Sequence, residues 1–170
     1  MEQDTALLTA MAEIAGVFVG FGALISVTRR MEIEAAQLRL IRAVVTIGLV
    51  VVVAALMPVG LARYGIVQEY LWRVSSLIFL LLIWSVILLS LRNRGNRQSG
   101  NSRTQAGVLT TLFFWLLLEV PMQIPLILAV LDVFPELNTA FYITALVLNL
   151  FEAAFVLAQF VYAQGTAASA

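Results

Sequence analysis

Residues 138–163 read NTAFYITALVLNLFEAAFVLAQFVYA, a stretch that is apolar enough to cross a lipid bilayer as a helix. Four polar side chains interrupt it at helical spacing, which places them on one face: Tyr142, Asn149, Glu152 and Gln159. Between the first and the last of them a helix rises about 26 Å, most of a ~30 Å hydrocarbon core. Polar groups at that depth are costly against lipid, so we expect this polar stripe to face other helices, a partner subunit or water.

The whole chain has the composition of an integral membrane protein. Of its 170 residues, 62% are hydrophobic and 12% are charged, and the mean hydropathy is +0.99. Soluble domains carry about 25% charged residues. We therefore expect an all-α membrane bundle that forms one domain, residues 1–170, in the lipid bilayer. The size and composition are typical of small multi-pass proteins of bacteria, for which the inner membrane is the expected location.

Five apolar segments predict five transmembrane helices, at about 7–28, 43–62, 74–91, 107–131 and 139–163. The second helix is expected to begin in water, in the polar helix formers that precede Ala43. Eight of the ten arginines follow the first and third segments, so the positive-inside rule predicts N-out and C-in. Segment 107–131 contains Pro121 and Pro125, which remove backbone donors and could make it re-entrant.

An arginine-rich stretch, residues 92–106, joins the third and fourth segments and contains no acid. The favoured interpretation is a cytoplasmic loop that obeys the positive-inside rule. A patch for anionic lipid or nucleic acid is the alternative, and we expect no nucleic-acid partner.

Three absences restrict the chemistry. The chain has no Cys and no His, and all ten basic residues are Arg. Thiol nucleophiles, thiolate or imidazole metal sites and Schiff-base linkages are therefore excluded. We expect no metal, no cofactor and no enzymatic activity, a carboxylate-only hydrolase being the weak alternative.

Three glutamates lie inside the predicted helices: Glu13, Glu119 and Glu152. A tight turn near residues 134–135 predicts antiparallel packing of the last two segments, which would gather Glu119, Gln123, Asn149 and Glu152 near mid-membrane. Glu13 would lie nearer the outside. Two carboxyls in a low-dielectric site cannot readily both ionise, so the group suits a proton relay or a small-cation site.

Structural roles are the alternative for the same carboxyls. Neutral glutamates can act as hydrogen-bonded contacts that fix the helix register. Salt bridges are a second alternative, from Glu152 to Arg42 and from Glu13 to Arg73 or Arg63.

A face of small residues marks the first segment: Ala12, Gly16 and Gly20, with Glu13 beside them. Such a face lets another helix backbone approach closely. We favour packing within the chain over a dimer interface.

These patterns support two hypotheses of different classes. The first is a channel or transporter-like protein for protons or small cations, acting as a homo-oligomer because five helices are few to enclose a pathway. The second is a non-transporting scaffold or accessory subunit whose polar helix face packs against a partner or a second copy.

Overall fold

The computed structural model describes residues 2–28, 35–95 and 119–167. Within these ranges the chain is all-α and contains no strand, which confirms the predicted fold class. The five helices are α1 (Glu2–Thr28), α2 (Ala35–Arg63), α3 (Gln68–Gly95), α4 (Glu119–Val130) and α5 (Asn138–Ala167). A short 3-10 helix, Pro135–Leu137, precedes α5.

Four of these helices are long and apolar enough to cross a membrane, over Gln3–Val27, Leu40–Arg63, Tyr70–Ser90 and Pro135–Gln159. The described part of α4 is shorter, and residues 96–118, which hold most of the arginine-rich stretch and the start of the predicted fourth span, lie outside the described residues. A crossing by segment 107–131, and the N-out orientation, therefore stay predictions.

The helices extend beyond their apolar parts. α2 begins at Ala35, ahead of its apolar run, as expected from the helix-forming residues there. α3 continues to Gly95, so the start of the predicted arginine-rich loop is helical. The candidate membrane span of α3 itself ends at Ser90, close to the predicted end at residue 91, so the helix continues beyond its apolar part.

The chain divides into two compact units. The first contains α1, α2 and α5 from Leu146 onward, and the second contains α3, α4 and α5 up to Ala145. The single domain expected from the sequence stays a prediction.

In the first unit, α1 and α2 pack antiparallel through a glycine on each helix. A Cβ built at Gly22 would lie 2.7 Å from Val45 Cγ2, and one built at Gly48 would lie 2.7 Å from Val19 Cγ2. The Gly48 position is also 3.3 Å from the carbonyl oxygen of Ala15. Because only hydrogen fits at these two positions, the backbones approach more closely than side chains would allow.

Residues at helical spacing form the buried faces of this pair. On α1 they are Leu8, Met11, Ala12, Ala15 and Gly22, and on α2 they are Ile41, Val44, Gly48, Val51, Ala54, Ala55 and Pro58. Steps of three and four are typical of helices that pack along most of their length.

The C-termini of α2 and α4 end in the same hydrogen-bonding pattern. Gly65 has φ +78°, with its N–H bonded to Ala62 O and that of Ile66 bonded to Leu61 O. Asp132 repeats the pattern at φ +57°, its N–H bonding to Ala129 O. Both ends are Schellman caps, which require a residue in the left-handed region and usually use glycine.

Contacts of the Asp132 side chain compensate for the unfavourable left-handed conformation of its backbone. Arg73 Nη1 on α3 lies 3.3 Å from its Oδ2, and Asn138 Nδ2 donates to its Oδ1 at 2.7 Å. These contacts link α3, the end of α4 and the first residue of α5 within the second unit. Asp tolerates the left-handed conformation better than most residues, so a polar residue can occupy this turn.

Tyr142 lies at the centre of the second unit. It is fully buried, with its ring centroid 5.6 Å from that of Trp72 and 5.8 Å from that of Phe79. Trp72 and Phe79 are two turns apart on α3, so one face of α3 packs against the first turns of α5. Tilted and edge-on ring pairs at such distances add to the stability that burial provides.

Candidate functional site

The candidate site begins with Glu119 at the start of the described part of α4. Glu119 is only 9% exposed and continues the buried face of the helix, which consists of Met122, Leu126 and Ala129. The steps of three and four between these positions place the carboxyl on the inward side. A carboxyl on the buried face of an apolar helix is rare, and it marks a functional candidate.

Gln123, one turn later, holds this carboxyl. Its Nε2 donates to Glu119 Oε2 at 3.4 Å, a long hydrogen bond. Within the described part of the chain, this amide is the hydrogen-bond partner of the Glu119 side chain, and no arginine forms an ion pair with it. Pro125, a buried residue of the same helix, lacks an N–H and so removes the helical donor for the carbonyl of Pro121.

The polar stripe of α5 faces inward over its first half only. Tyr142, Ala145 and Asn149 are buried, Glu152 is half-buried and Gln159 is exposed. At the level of Glu152 the fully buried residue is its neighbour Ala153. Burial within the chain therefore covers the first half of the stripe, and a partner subunit or water at Gln159 stays a prediction.

Helix geometry explains this difference. Gln159 comes one residue short of five full turns after Tyr142, so on a straight helix it points about 100° away. Steps of three and four average less than the helical repeat, and the stripe drifts around the helix. The four polar residues therefore spread over an arc of the helix.

The described contacts bring Glu119 and Gln123 together in the second unit. Asn149, Glu152 and Glu13 belong to the first unit. The predicted gathering of all of these groups stays a prediction.

The salt bridge predicted between Glu13 and Arg73 is replaced by another ion pair. Arg73, offered by the sequence as a partner of Glu13, forms its ion pair with Asp132. Glu13 itself is exposed, as are Arg42 and Arg63. No ion pair involving Glu13 occurs among the described residues.

The small-residue face of α1 is only partly used within the chain. Ala12 is buried, but Gly16 and Gly20 are exposed, and among the described residues nothing lies within 4 Å of a Cβ built at either. The close helix approach expected there occurs at Gly22 and Gly48 instead. The literal G-xxx-G pattern could not identify the face of α1 that packs against α2, because α1 has small residues on several faces.

Sequence reasoning missed several polar residues of the second unit. They are Asp132, its two partners Arg73 and Asn138, and the fully buried Ser75 and Ser76; for Arg73, which the sequence had offered to Glu13, it was the partner that was missed. An Asp directly after a predicted helix was the available signal for the turn. Ser is too common in membrane helices to indicate a site by itself.

Two further observations restrict the chemistry. A groove in the first unit is lined by the apolar residues Phe18, Ala154, Leu157, Ala158 and Val161. None of the predicted site residues contributes to this lining. Among the residues that the structure describes, no group of three or more acidic side chains is arranged to hold a metal ion.

Comparisons with known proteins add no identification. No protein-family model, no curated protein and no solved structure matches the chain. The four long apolar helices identify the chain as an all-α membrane protein.

Proposed function

We propose that the protein conducts protons or small cations across the membrane, with Glu119 as the acid that receives them. The observation that carries this proposal is the buried Glu119 carboxyl, which has an amide partner and no cationic partner in the described part of the chain. Buried charges in proteins are normally paired or neutralised. The buried carboxyl of Glu119 therefore needs a positive partner other than the described side chains.

The chemistry of the site suits such a partner. A proton on the carboxyl oxygen and a small cation beside it would each compensate the charge, so one can replace the other. Gln123 contributes a neutral amide, which orients the carboxyl without neutralising it.

Conduction through this site is proposed to require several copies of the chain, because five helices are few to enclose a pathway. In the assembled protein, Asn149, Glu152 and Glu13 are the further polar groups that we propose to bind the ion. The proposal places the protein in the inner membrane, N-out and C-in, and it requires neither catalysis nor a cofactor.

The test is ion flux into liposomes containing the purified full-length protein. A pH-sensitive dye reports proton entry under a potassium-driven membrane potential, and ion-sensitive dyes report Na⁺ and K⁺. We expect Glu119→Gln to abolish flux, because an amide cannot exchange a proton or balance a cation. Gln123→Ala should lower flux less, since it removes only the group that orients the carboxyl.

Glu136→Gln is the matched control. It makes the same chemical change at an exposed glutamate of the 3-10 helix that precedes α5. We expect its flux to equal that of the wild type. Absence of flux of every ion in wild-type liposomes, or equal flux in Glu119→Gln and wild type, would refute the proposal.

The exposed face of α1 favours a second candidate function, which is assembly without transport. Glu13, Gly16 and Gly20 are exposed near the middle of a candidate membrane span. A carboxyl facing lipid at that depth costs about 2.5–3.5 kcal/mol on insertion scales. Contact with a second copy, whose backbone could approach closely at the glycines, would remove that cost.

The size of the complex in detergent tests this second candidate. Gly20→Leu should reduce the complex to monomers, because the leucine would occupy the contact surface. Gly60→Leu is the control, since Gly60 is also an exposed helical glycine with open space around it. An equal complex size in Gly20→Leu and Gly60→Leu would argue against an interface at this face.

A further inference from the structure

Four buried polar atoms in the second unit have no hydrogen-bond partner within the described part of the chain. They are Trp72 Nε1, Ser75 Oγ, Ser76 Oγ and Asn138 Oδ1. Both serines are 0% exposed, Asn138 is 3% exposed and Trp72 is 6% exposed. Buried polar groups in folded proteins are almost always hydrogen-bonded, so four such atoms in one unit require a partner.

Ring contacts place Trp72 at the interface between α3 and the first turns of α5, and helical spacing places the two serines on the same side of α3. Trp72 and Phe79 both contact Tyr142, and the two serines lie between them in sequence. On a helix, positions 72, 75, 76 and 79 fall within an arc of about 100°. Asn138 is one turn before Tyr142 on α5.

The orientation of the Asn138 amide is determined by its neighbour. The Asp132 carboxylate can only accept a hydrogen bond, and Asn138 Nδ2 donates to it at 2.7 Å. The other end of the amide, Oδ1, is therefore an acceptor that still needs a donor.

The chemistry of these atoms selects the ligand. The indole N–H can only donate, the amide oxygen can only accept, and the two hydroxyls can do both. A cation would be repelled by the indole N–H, and an anion by the amide oxygen. A small neutral molecule that both donates and accepts fits all four, and buried water is the commonest such ligand in proteins.

We propose that bound water occupies the interface between α3 and the start of α5 and forms hydrogen bonds with these four atoms. This α3–α5 hydration site is defined by Trp72, Ser75, Ser76 and Asn138. It is independent of ion conduction, because the four polar atoms require partners whether or not an ion crosses the membrane.

Serine-to-alanine variants distinguish a hydrated interface from a dry one. In a dry interface an unpartnered hydroxyl is unfavourable, so its removal leaves stability equal or higher. In a hydrated interface the same change removes hydrogen bonds to bound water and lowers stability. We expect Ser75→Ala/Ser76→Ala to unfold at lower denaturant than the wild type in mixed micelles.

Ser85→Ala is the matched control on the same helix. Ser85 is exposed, and its hydroxyl already donates to the Leu82 carbonyl at 2.7 Å. We expect its unfolding midpoint to match that of the wild type.

Radiolytic hydroxyl labelling with mass spectrometry locates the water directly, because radicals formed from bound water oxidise adjacent buried side chains. We expect Trp72 to be labelled in the intact wild-type protein despite its burial, and several-fold less in Ser75→Ala/Ser76→Ala. An unlabelled Trp72 in the wild type overturns the proposal, and so does equal labelling in the two proteins. If the double variant does not fold, labelling of Trp72 in the wild type supports bound water, and its absence overturns the proposal. Since no flux is measured, this outcome is separate from that of the conduction test.

Discussion

Adding a single methyl group at the crossing of α1 and α2 should destabilise the protein, although it replaces glycine with a better helix former. The Cβ of Gly48→Ala would lie 2.7 Å from Val19 Cγ2, whereas ordinary contacts begin at 3.4 Å. Restoring an ordinary contact therefore requires the two atoms to move apart by 0.7 Å, the difference between 3.4 and 2.7 Å. Val19 cannot easily turn away because a β-branched side chain in a helix has essentially one rotamer. The second close atom, the Ala15 carbonyl oxygen at 3.3 Å, belongs to the backbone.

The two energetic effects have opposite signs. Overpacking of a tight interface costs about 1–3 kcal/mol. Replacing a helical glycine with alanine gains at most about 1 kcal/mol. We therefore expect Gly48→Ala to lower the free energy of unfolding by about 1–2 kcal/mol.

Three variants make the comparison specific. Gly60→Ala has nothing within 4 Å of the new methyl group, so it should be neutral or slightly stabilising. Gly22→Ala meets only a side-chain atom at close range, Val45 Cγ2, so it should cost less than Gly48→Ala. In Val19→Ala/Gly48→Ala the nearest atom is removed, and part of the lost stability should return, which a double-mutant cycle measures.

Equilibrium unfolding in mixed micelles provides the assay. The chain has no native Cys, so dyes can be attached at cysteines introduced at the exposed positions Val17 of α1 and Val53 of α2. Energy transfer between the dyes then reports separation of this helix pair. Equal stability of Gly48→Ala and Gly60→Ala, or no recovery in the double variant, would refute the packing argument.

Two further predictions concern the second unit. Asp132→Ala should cost about 1–2 kcal/mol, because alanine is unfavourable at φ +57° and loses the contacts with Arg73 and Asn138. Asp132→Gly should cost less, since glycine adopts this conformation freely, and unfolding midpoints compare the two. Tyr142→Ala should cost about 3–5 kcal/mol by removing a fully buried ring between two aromatic neighbours. Phe151→Ala, at a position of the first unit that is 56% exposed, should cost much less than Tyr142→Ala in the same unfolding measurement.

The helices were predictable because a membrane helix must satisfy its own backbone and present apolar side chains to lipid. Length and hydropathy therefore identified α1, α2, α3 and α5 directly. The polar start of α2 was also predictable, since its residues are good helix formers.

Side-chain orientation was much less predictable, and the glycines show why. The pattern at Gly16 and Gly20 is the recognised motif, yet Gly22 and Gly48 make the close approach. Lipid is as apolar as a buried interface, so hydropathy does not distinguish the two faces of a membrane helix. The steps Ile41, Val44, Gly48, Val51, Ala55 on α2 were the one usable signal for the packed face.

The candidate site was predictable in part. Glu119 and Gln123 follow from the rule that polar residues in membrane helices face the interior. The contacts of Arg73, Asp132 and Asn138 did not follow, because they depend on the backbone of a turn rather than on helical spacing. At the far end of the stripe, Gln159 is exposed because the stripe drifts around the helix, so the group that contacts it stays a prediction.

The two glycines between α1 and α2 also bear on how the chain assembles after insertion. These helices are consecutive in sequence, so bringing them together costs little loop-closure entropy. In the two-stage scheme, in which inserted helices later associate, such a hairpin can form while later segments are still being synthesised. A protein truncated after α2 should therefore already protect the backbone amides around Gly22 and Gly48 from hydrogen exchange.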